Sequence, residues 1–551
     1  MPVLSETAIR KIGLPVEWHI LPALKTLPRC IQYICAVKRG KKNIILQNVF
    51  VSDYAAEGKS LAKVDGKVIF IESAVPGDVV DLQLLKSKKD WAEGRPLRFL
   101  SYSKEREMPF CSHFGVCGGC QWQMLPYVKQ LQYKQKQVAD NLQRIGKLQL
   151  PDILPIAGAD ETKYYRNKIE YTFGTKEFTK EKPQPPHPPK GGFQNPSVID
   201  EAFHLEDSKT PPLEGLGEAS PFGGGAAGFH AKGFFDKIVD IQTCYLQGEP
   251  TNEIRLAVKE FAKLNRYPFY DIRNHTGFLR TMQVRLCTTG ELMVNIVVTE
   301  DDAEKINKLM SYVQEKFPAI TTLLYTINTK WNDSLHDLQP VVYSGKGYAI
   351  EKLSAGPGED YQFKIGPKSF FQTNTKQAEK LYRITKDFAE LTGKETVYDL
   401  YCGTGSIGIF ASRFAKKIIG VELIAAAIDD AKENAALNHL SHTSFFAGDV
   451  IDICNDDFFA LHGRPDVIIT DPPRAGMHEK LVKKILEMSA PLVVYVSCNP
   501  ATQARDLNLL SEKYAVTKIQ PVDMFPHTHH IENVVQLKLD AELLNSYKSL
   551  A

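Results

Sequence analysis

LVVYVSCNPAT, at residues 492–502, decides the fold of the chain around it. Its apolar run, residues 492–496, is typical of a strand that is buried on both faces. Pro500 prevents the strand from continuing, because proline has no N–H group for the strand ladder. In α/β sheets the reacting groups follow the carboxyl ends of the strands, which makes Cys498 a candidate nucleophile. The alternative is a structural cysteine, since free cysteine is among the most buried residue types.

Two further stretches reinforce the functional interpretation. DPPRAG, at residues 471–476, follows the apolar strand 467–470, and VDMFPHTHHIE occupies residues 522–532. Together with residues 492–502 they resemble the paired signatures of the RNA uracil-5-methyltransferase family, and the resemblance extends over residues 39–540. It implies an α/β fold: a Rossmann-like class I methyltransferase domain, an N-terminal OB-like (TRAM) β-barrel and a central α+β iron–sulfur domain.

Size and composition limit the class of protein. A chain of 551 residues predicts several domains, and 43% hydrophobic with 24% charged residues is typical of a globular protein. The chain has no apolar run of about 20 residues and no secretory segment, so we expect a cytoplasmic monomer without a membrane partner. Its net charge of +2 gives no global signal for nucleic-acid binding. Ten cysteines are too sparse for a disulfide framework and favour metal binding or catalysis.

The N-terminal part of the chain has two sections. Residues 1–37 show no clear periodicity, and we expect a leader segment there. Residues 38–100 show short apolar strands separated by glycine turns, with more basic than acidic side chains. A small barrel with a positive face is a common RNA-binding module, and this section resembles the TRAM domain. The alternative is a barrel whose charged surface is merely solvated.

A cysteine cluster follows the barrel. Cys111, Cys117 and Cys120 lie within ten residues on a glycine-bearing loop, so their thiols are able to converge. The family holds a 4Fe–4S cluster with three such cysteines and a distant fourth, and the resemblance implies Cys244 as that ligand, with Cys287 as the next choice. Thiolates also suit zinc, which therefore stays the alternative, although zinc sites more often pair two Cys-x2-Cys units.

We expect a central domain at residues 101–365, built mainly from antiparallel strands. Its Pro/Gly-rich residues 176–228 predict an insertion loop. Residues 126–145 predict an amphipathic helix, a candidate for packing on the catalytic domain. Arg166 and Lys168 resemble a recurrent family segment whose basic groups meet phosphate. The basic residues expected on the solvent face of the helix are Lys129, Lys134, Lys136 and Arg144.

The methyltransferase domain is expected at residues 366–541. A predicted strand leads into Gly403, Gly405 and Gly408, the G-x-G-x-x-G spacing of a nucleotide-binding loop. By itself this loop fits NAD equally well. Asp399 favours S-adenosylmethionine over NAD, because the ammonium group of S-adenosylmethionine needs a carboxylate before the loop. By resemblance, the residues that line the cofactor pocket are Gln372, Tyr401, Ser406, Glu422, Asp449 and Asp471.

The family's chemistry explains the residue types. Carbon 5 of uracil is too weak a nucleophile to take a methyl group unaided, whereas a thiolate added at carbon 6 makes carbon 5 reactive. Cys498 is the expected thiolate, and Glu532 is the base that later removes the carbon-5 proton. Asp471 and Arg474 are candidates to orient the base or to stabilise charge on the ring oxygen. The uridine must be unstacked, which favours a loop or a distorted stem as substrate.

The histidine-rich motif also resembles a metal site. On a strand, His527 and His529 would alternate away from His530 and Glu532, which leaves too few ligands on one face, and we expect no metal there.

Several functions remain open. The cysteine cluster and the barrel together resemble enzymes that modify 23S ribosomal RNA, with the thymine-loop uridine of tRNA as the alternative substrate. A non-catalytic RNA-binding protein is disfavoured by the intact Cys498 and Glu532. An NAD-dependent oxidoreductase gives no reason for either residue.

Overall fold

The computed structural model describes residues 44–179 and 225–540. The expected leader, the first residues of the expected barrel and most of the expected insertion loop lie outside these ranges. The insertion loop predicted at 176–228 is wrong at its C-terminal end, because Ala226–His230 is a strand hydrogen-bonded to Lys168–Gly174. None of the helices in the described ranges is long and apolar enough to cross a membrane.

The N-terminal part forms a six-stranded sheet in the order β1-β5-β6-β4-β3-β2. Asp65 and Gly66 form the turn between β3 and β4, and both have the positive φ that a tight hairpin requires. Val49, Ile69 and Leu82 contribute to a small apolar core. The assignment as an OB-like barrel stays a prediction. The strands are β1 (Ile45–Phe50), β2 (Asp53–Tyr54), β3 (Ser60–Val64), β4 (Lys67–Ile71), β5 (Val79–Ser87) and β6 (Trp91–Ser101).

One long helix, α1 (Tyr127–Arg144), begins directly after Pro126, as the sequence predicts. Lys134 was expected on its solvent face, and this is wrong. Its ammonium group is fully buried and donates to Asp523 of the catalytic domain at 2.6 Å. The buried face of α1 includes polar side chains, because each of them has a hydrogen-bonding partner in the interior. With this face α1 packs on the catalytic domain.

The central domain is a seven-stranded sheet in the order β13-β12-β11-β10-β7-β8-β9. All neighbours are antiparallel except β11 and β12, whose parallel pairing requires the crossover through α3 and corrects the expected antiparallel sheet. Asp302 caps α3 by accepting a hydrogen bond from the backbone N–H of Lys305. The elements are β7 (Lys168–Gly174), β8 (Ala226–His230), β9 (Ile238–Asp240), α2 (Thr251–Leu264), β10 (Leu279–Leu286), β11 (Leu292–Val298), α3 (Ala303–Lys316), β12 (Thr322–Ile327) and β13 (Val341–Gly345).

The catalytic domain is a seven-stranded sheet in the order β18-β17-β16-β19-β20-β22-β21. The first five strands are parallel, and β22 and β21 are antiparallel additions. The elements are β14 (Ala349–Gly356), β15 (Glu359–Ile365), α4 (Thr375–Phe388), β16 (Thr396–Leu400), α5 (Ser406–Ala411), β17 (Lys417–Glu422), α6 (Ala425–Leu437), β18 (Thr443–Ala447), α7 (Val450–Ile453), α8 (Asp456–His462), β19 (Val467–Thr470), α9 (Glu479–Met488), β20 (Leu492–Ser497), α10 (Pro500–Leu510), β21 (Tyr514–Val522) and β22 (Glu532–Leu539).

The β14–β15 hairpin lies before the expected domain boundary at 365/366 but packs with the catalytic sheet. Leu353 and Tyr361 share one apolar core with Val397 and Ile418. The hairpin alternates buried and exposed residues, and its buried face covers α4 and α6. The packing therefore assigns the hairpin to the catalytic unit.

Candidate active site

The carboxyl ends of the five parallel strands meet at one edge of the catalytic sheet. Because β18, β17, β16, β19 and β20 are consecutive neighbours, the residues at their ends form one row. The end residues, in that order, are Asp449, Glu422, Tyr401, Asp471 and Cys498. The structure thus gathers four of the six expected cofactor residues and the expected nucleophile at this edge.

The expected base reaches the same edge from the opposite direction. Strand β22 runs antiparallel to β20, with Asn533 opposite Ser497. Glu532 begins β22 and Cys498 directly follows β20, so the pairing brings the carboxyl group to the thiol. Glu532 is buried, whereas Cys498 is partly exposed.

Side-chain hydrogen bonds hold the three motif loops together. Asn499 Nδ2 and Thr502 Oγ1 donate to the carbonyl oxygen of Arg474 at 3.1 and 3.2 Å. The guanidinium of Arg474 donates to His530 Nδ1 at 2.7 Å. Since a guanidinium only donates, Nδ1 is the acceptor and the His530 ring is neutral. Asn499 also caps α10 through the backbone N–H of Ala501.

The histidine-rich motif does not form a strand. Residues 523–531 consist of turns, and β22 begins only at Glu532, so the expected strand alternation of His527 and His529 is wrong. His527 has a φ of 64°, a left-handed conformation that a strand residue does not adopt.

Carboxyl groups are concentrated at the site. Burial, together with the Asp471 and Glu422 carboxylates, raises the pKa of Asp399 to about 7. Burial also raises the pKa of Asp471 to about 7. Burial and the nearby Asp471 carboxylate raise the pKa of Glu532 well above its ordinary value. A ligand that carries positive charge relieves this repulsion, so the site is suited to a cationic cofactor.

The thiol of Cys498 is protonated in the free protein. Burial, together with the Glu532 and Asp471 carboxylates, raises its pKa to about 12, and Arg474 opposes this shift. The expectation of a preformed thiolate is therefore wrong. The negative groups that suit a cation also disfavour a second anion beside them, so the thiol needs a proton acceptor during the reaction.

The glycine-rich loop leaves room for a ligand. Gly403 has a φ of 54°, with no atom within 4 Å of the position that a Cβ would take. Its N–H donates to Glu422 Oε2 at 3.3 Å. Asp399 Oδ2 accepts the N–H of Gly408 at 2.9 Å, while Oδ1 is buried and has no partner among the described residues. An open loop beside an unpaired carboxylate oxygen fits an amino-acid ammonium group.

The remaining expected cofactor residues are Ser406, which follows the loop, and Gln372, which precedes α4. Ser406 begins α5, and its hydroxyl lies 2.9 Å from the hydroxyl of Tyr382. Gln372 is buried, and its carbonyl oxygen accepts from Asn167 Nδ2 at 3.0 Å. Sequence reasoning missed Tyr382, because nothing in the sequence distinguishes this helical tyrosine from one in the core.

The four cysteines of the expected cluster line one cavity. Cys244 contributes to this cavity beside Cys111, Cys117 and Cys120, whereas Cys287 packs elsewhere, against Met293 and Leu324. Burial raises the pKa of Cys117 and Cys120 to about 12 and that of Cys244 to about 11. In the ranges that the structure describes, no group of three or more His, Cys, Asp or Glu side chains is arranged to hold a metal ion.

Comparisons with known proteins agree with the motifs. The model of the tRNA (uracil-5-)-methyltransferase family matches residues 340–540. An uncharacterized RNA methyltransferase of Bacteroides thetaiotaomicron is 49% identical over 488 residues, which cover 88% of this chain and 100% of that protein. The chain belongs to the RNA uracil-5-methyltransferase family. Within this family, an uncharacterized RNA methyltransferase of Chlorobaculum tepidum is 36% identical, over 90% of this chain and 96% of that protein.

A solved structure supports the same family and fold. The tRNA (uracil-54, C5)-methyltransferase of Pyrococcus abyssi, in complex with S-adenosyl-L-homocysteine, superimposes with a TM-score of 0.64 at 25% identity. The superposition covers 89% of this chain and 100% of that chain. The expected enzyme class, an S-adenosylmethionine-dependent RNA methyltransferase, is confirmed. The oxidoreductase and the non-catalytic RNA-binding protein are excluded.

Proposed function

We propose that this uracil-5-methyltransferase modifies a uridine of 23S ribosomal RNA through a covalent bond between Cys498 and carbon 6. The observation that carries the proposal is the meeting of Cys498 and Glu532 at the ends of two paired strands. The open glycine loop and the unpaired Asp399 oxygen support cofactor binding at the same edge. Gln372, Tyr401, Ser406, Glu422, Asp449 and Asp471 are the proposed pocket residues.

Each step has an assigned side chain. The Cys498 thiol first gives up its proton to Asp471, one of the two carboxyl groups whose charge acts on the thiol. With a pKa of about 7, Asp471 is partly ionised at neutral pH. Its sulfur then bonds to carbon 6, and the electron pair of the ring double bond moves toward carbon 5 and the ring oxygen. S-adenosylmethionine supplies the methyl group to carbon 5. Glu532 accepts the carbon-5 proton, the C–H electrons restore the double bond, and the sulfur leaves as a thiolate.

Ribosomal RNA is favoured over tRNA by the N-terminal sheet and the cysteine cavity, which match the features of the resembled 23S enzymes. We assign the sheet at residues 45–101 to a TRAM module that contacts RNA. Arg98 on β6 is 71% exposed and pairs with Asp81 at 3.2 Å, so a contact of its guanidinium with phosphate would compete with this pair. The Pyrococcus abyssi structure, a tRNA enzyme, favours tRNA as the second candidate.

Unmodified transcripts distinguish the two substrates. The protein is incubated with radiolabelled methyl donor and either a 23S ribosomal RNA or a set of tRNAs. We expect label in 23S RNA, at carbon 5 of a uridine in a loop or a distorted stem, because the base has to leave the stack. Label confined to tRNA would replace the ribosomal assignment. Label on a base other than uracil would overturn the reaction itself.

We further propose that Cys111, Cys117, Cys120 and Cys244 hold a 4Fe–4S cluster. Four thiolates are the ligand set of such a cluster. Its iron and sulfide atoms would occupy the space between the four thiols. The shared cavity and the burial of all four thiols support this assignment.

Anaerobic purification tests the cluster. We expect a brown protein that absorbs at roughly 400 nm and contains about four iron atoms per chain. Cys244→Ser should lose most of the iron, while Cys287→Ser, a change at a buried cysteine outside the cavity, should retain it. A colourless, zinc-loaded protein, or equal iron in both variants, would refute the assignment.

A further inference from the structure

The segment that leads into Glu532 has no secondary structure of its own. We call residues 523–529 the lead segment, which lies between the end of β21 and the start of β22. Glu532 is the first residue of β22 and lies opposite Val522 of β21, and strand pairing continues only on its C-terminal side. On the other side, the conformation is set by contacts of the lead segment, including the left-handed φ of 64° at His527. Such a conformation persists only where the surroundings enforce it.

Gln130 of α1 supplies the central contact. Its side-chain oxygen accepts the backbone N–H of His527 at 2.8 Å. Its amide nitrogen donates to the carbonyl oxygens of Trp122 and Leu125 at 3.0 and 2.9 Å. The side chain is completely buried. Gln130 is therefore locked in one orientation and holds the lead segment at its most strained residue.

Neighbouring groups hold the segment from the same side. Asp523 accepts the hydroxyl of Tyr127 at 2.8 Å and the buried ammonium of Lys134 at 2.6 Å. The backbone N–H groups of Gln121 and Trp122, which directly follow a cavity cysteine, donate to the carbonyl oxygen of His527 at 2.8 and 3.0 Å. The lead segment is thus held by residues from a distant part of the chain, since Gln130 and His527 are 397 positions apart.

We propose that Gln130 is a positioning residue that sets the placement of Glu532 for removal of the carbon-5 proton. The proposal rests on the role proposed for Glu532 above. An apolar side chain on α1 would fill the same space without setting the backbone at His527. The need to fix the backbone conformation at His527 therefore explains why a buried amide is present at this position. Cys498 is placed by β20 and its own loop, so Gln130 acts on the last chemical step and leaves formation of the sulfur–carbon bond intact.

Trapped RNA–protein adducts test the proposal. Full-length Gln130→Met, the matched control Gln132→Met at an exposed position of the same helix, and the reference Glu532→Gln are mixed with RNA and methyl donor. Adducts are then resolved on a denaturing gel. We expect Gln130→Met to accumulate the methylated adduct as Glu532→Gln does, with release of product slowed about 10- to 100-fold. Gln132→Met should behave like the unmodified protein.

The outcomes separate this inference from the proposed function. If Glu532→Gln accumulates no adduct, the role of Glu532 fails. If Glu532→Gln accumulates adduct but Gln130→Met turns over normally, or loses adduct and product together, the positioning role is overturned. If Gln130→Met does not give a protein that unfolds cooperatively, Tyr127→Phe takes its place. This change removes one hydroxyl group from the contacts of the lead segment, and the same two results overturn the positioning role.

Discussion

Replacing Cys498 with alanine is expected to abolish methyl transfer, with kcat at least about 10⁴-fold lower. Alanine cannot bond to carbon 6, so carbon 5 stays unreactive toward the methyl donor. The side chain is partly exposed at the sheet edge, and its loss creates little cavity. Labelled methyl incorporation into RNA measures the effect, and a denaturing gel should show no RNA–protein adduct.

Cys287→Ala is the matched control for this prediction. Cys287 is a buried cysteine of the central domain, outside both the catalytic edge and the cysteine cavity. It should retain methyl transfer within a few-fold and form the adduct normally. Methylation that survives Cys498→Ala, with the control equally active, removes the nucleophilic mechanism.

The expected result depends on how the thiol becomes a nucleophile. In the free protein its pKa is raised to about 12, so at neutral pH the sulfur is protonated. Glu532 contributes to this shift only while it is ionised, and its own pKa is raised well above the ordinary value. The resting site thus contains a thiol and a carboxyl group whose pKa values are both raised. A cationic ligand stabilises the ionised forms of both groups, so it lowers the pKa of the carboxyl group and the pKa of the thiol together.

The sequence predicts the catalytic edge because local rules operate there. Apolar runs define the buried strands, glycines permit the loop at Gly403, and Pro500 with Asn499 starts a helix directly after the nucleophile. These features act within a few residues of each other. The order of motifs along parallel strands then places Cys498 and Asp471 at one edge without any knowledge of distant contacts.

The errors arise where a distant partner decides the outcome. The sequence predicts Lys134 to be exposed to solvent, because burying an unpaired ammonium group is costly. Its partner Asp523 is 389 positions away in the chain. The β14–β15 hairpin reads as part of the preceding domain because its pattern fits any half-buried hairpin. The protonation of Cys498 depends on two carboxyl groups at the ends of two other strands, Asp471 after β19 and Glu532 at the start of β22. Pattern and spacing carry no information on these contacts.

Replacing Glu532 with glutamine is expected to lower turnover by about 10²- to 10⁴-fold and to trap the methylated RNA on Cys498. Glutamine matches glutamic acid in size and polarity, so the buried position should tolerate the change. Removing one carboxyl group also takes away a cause of the high pKa of the Cys498 thiol. Formation of the sulfur–carbon bond should therefore proceed, whereas no group remains to take the proton from carbon 5.

Cys498→Ala and Glu532→Gln are thus expected to block different steps of the reaction. Cys498→Ala should give neither product nor adduct, and Glu532→Gln should give adduct that carries the donor's label without free product. Glu512→Gln, at an exposed position after α10, serves as the control for the change of charge and should release product normally. Normal turnover by Glu532→Gln would show that another group removes the proton. Loss of the adduct together with product would instead assign Glu532 to activation of the thiol, because loss of the thiol proton precedes formation of the adduct.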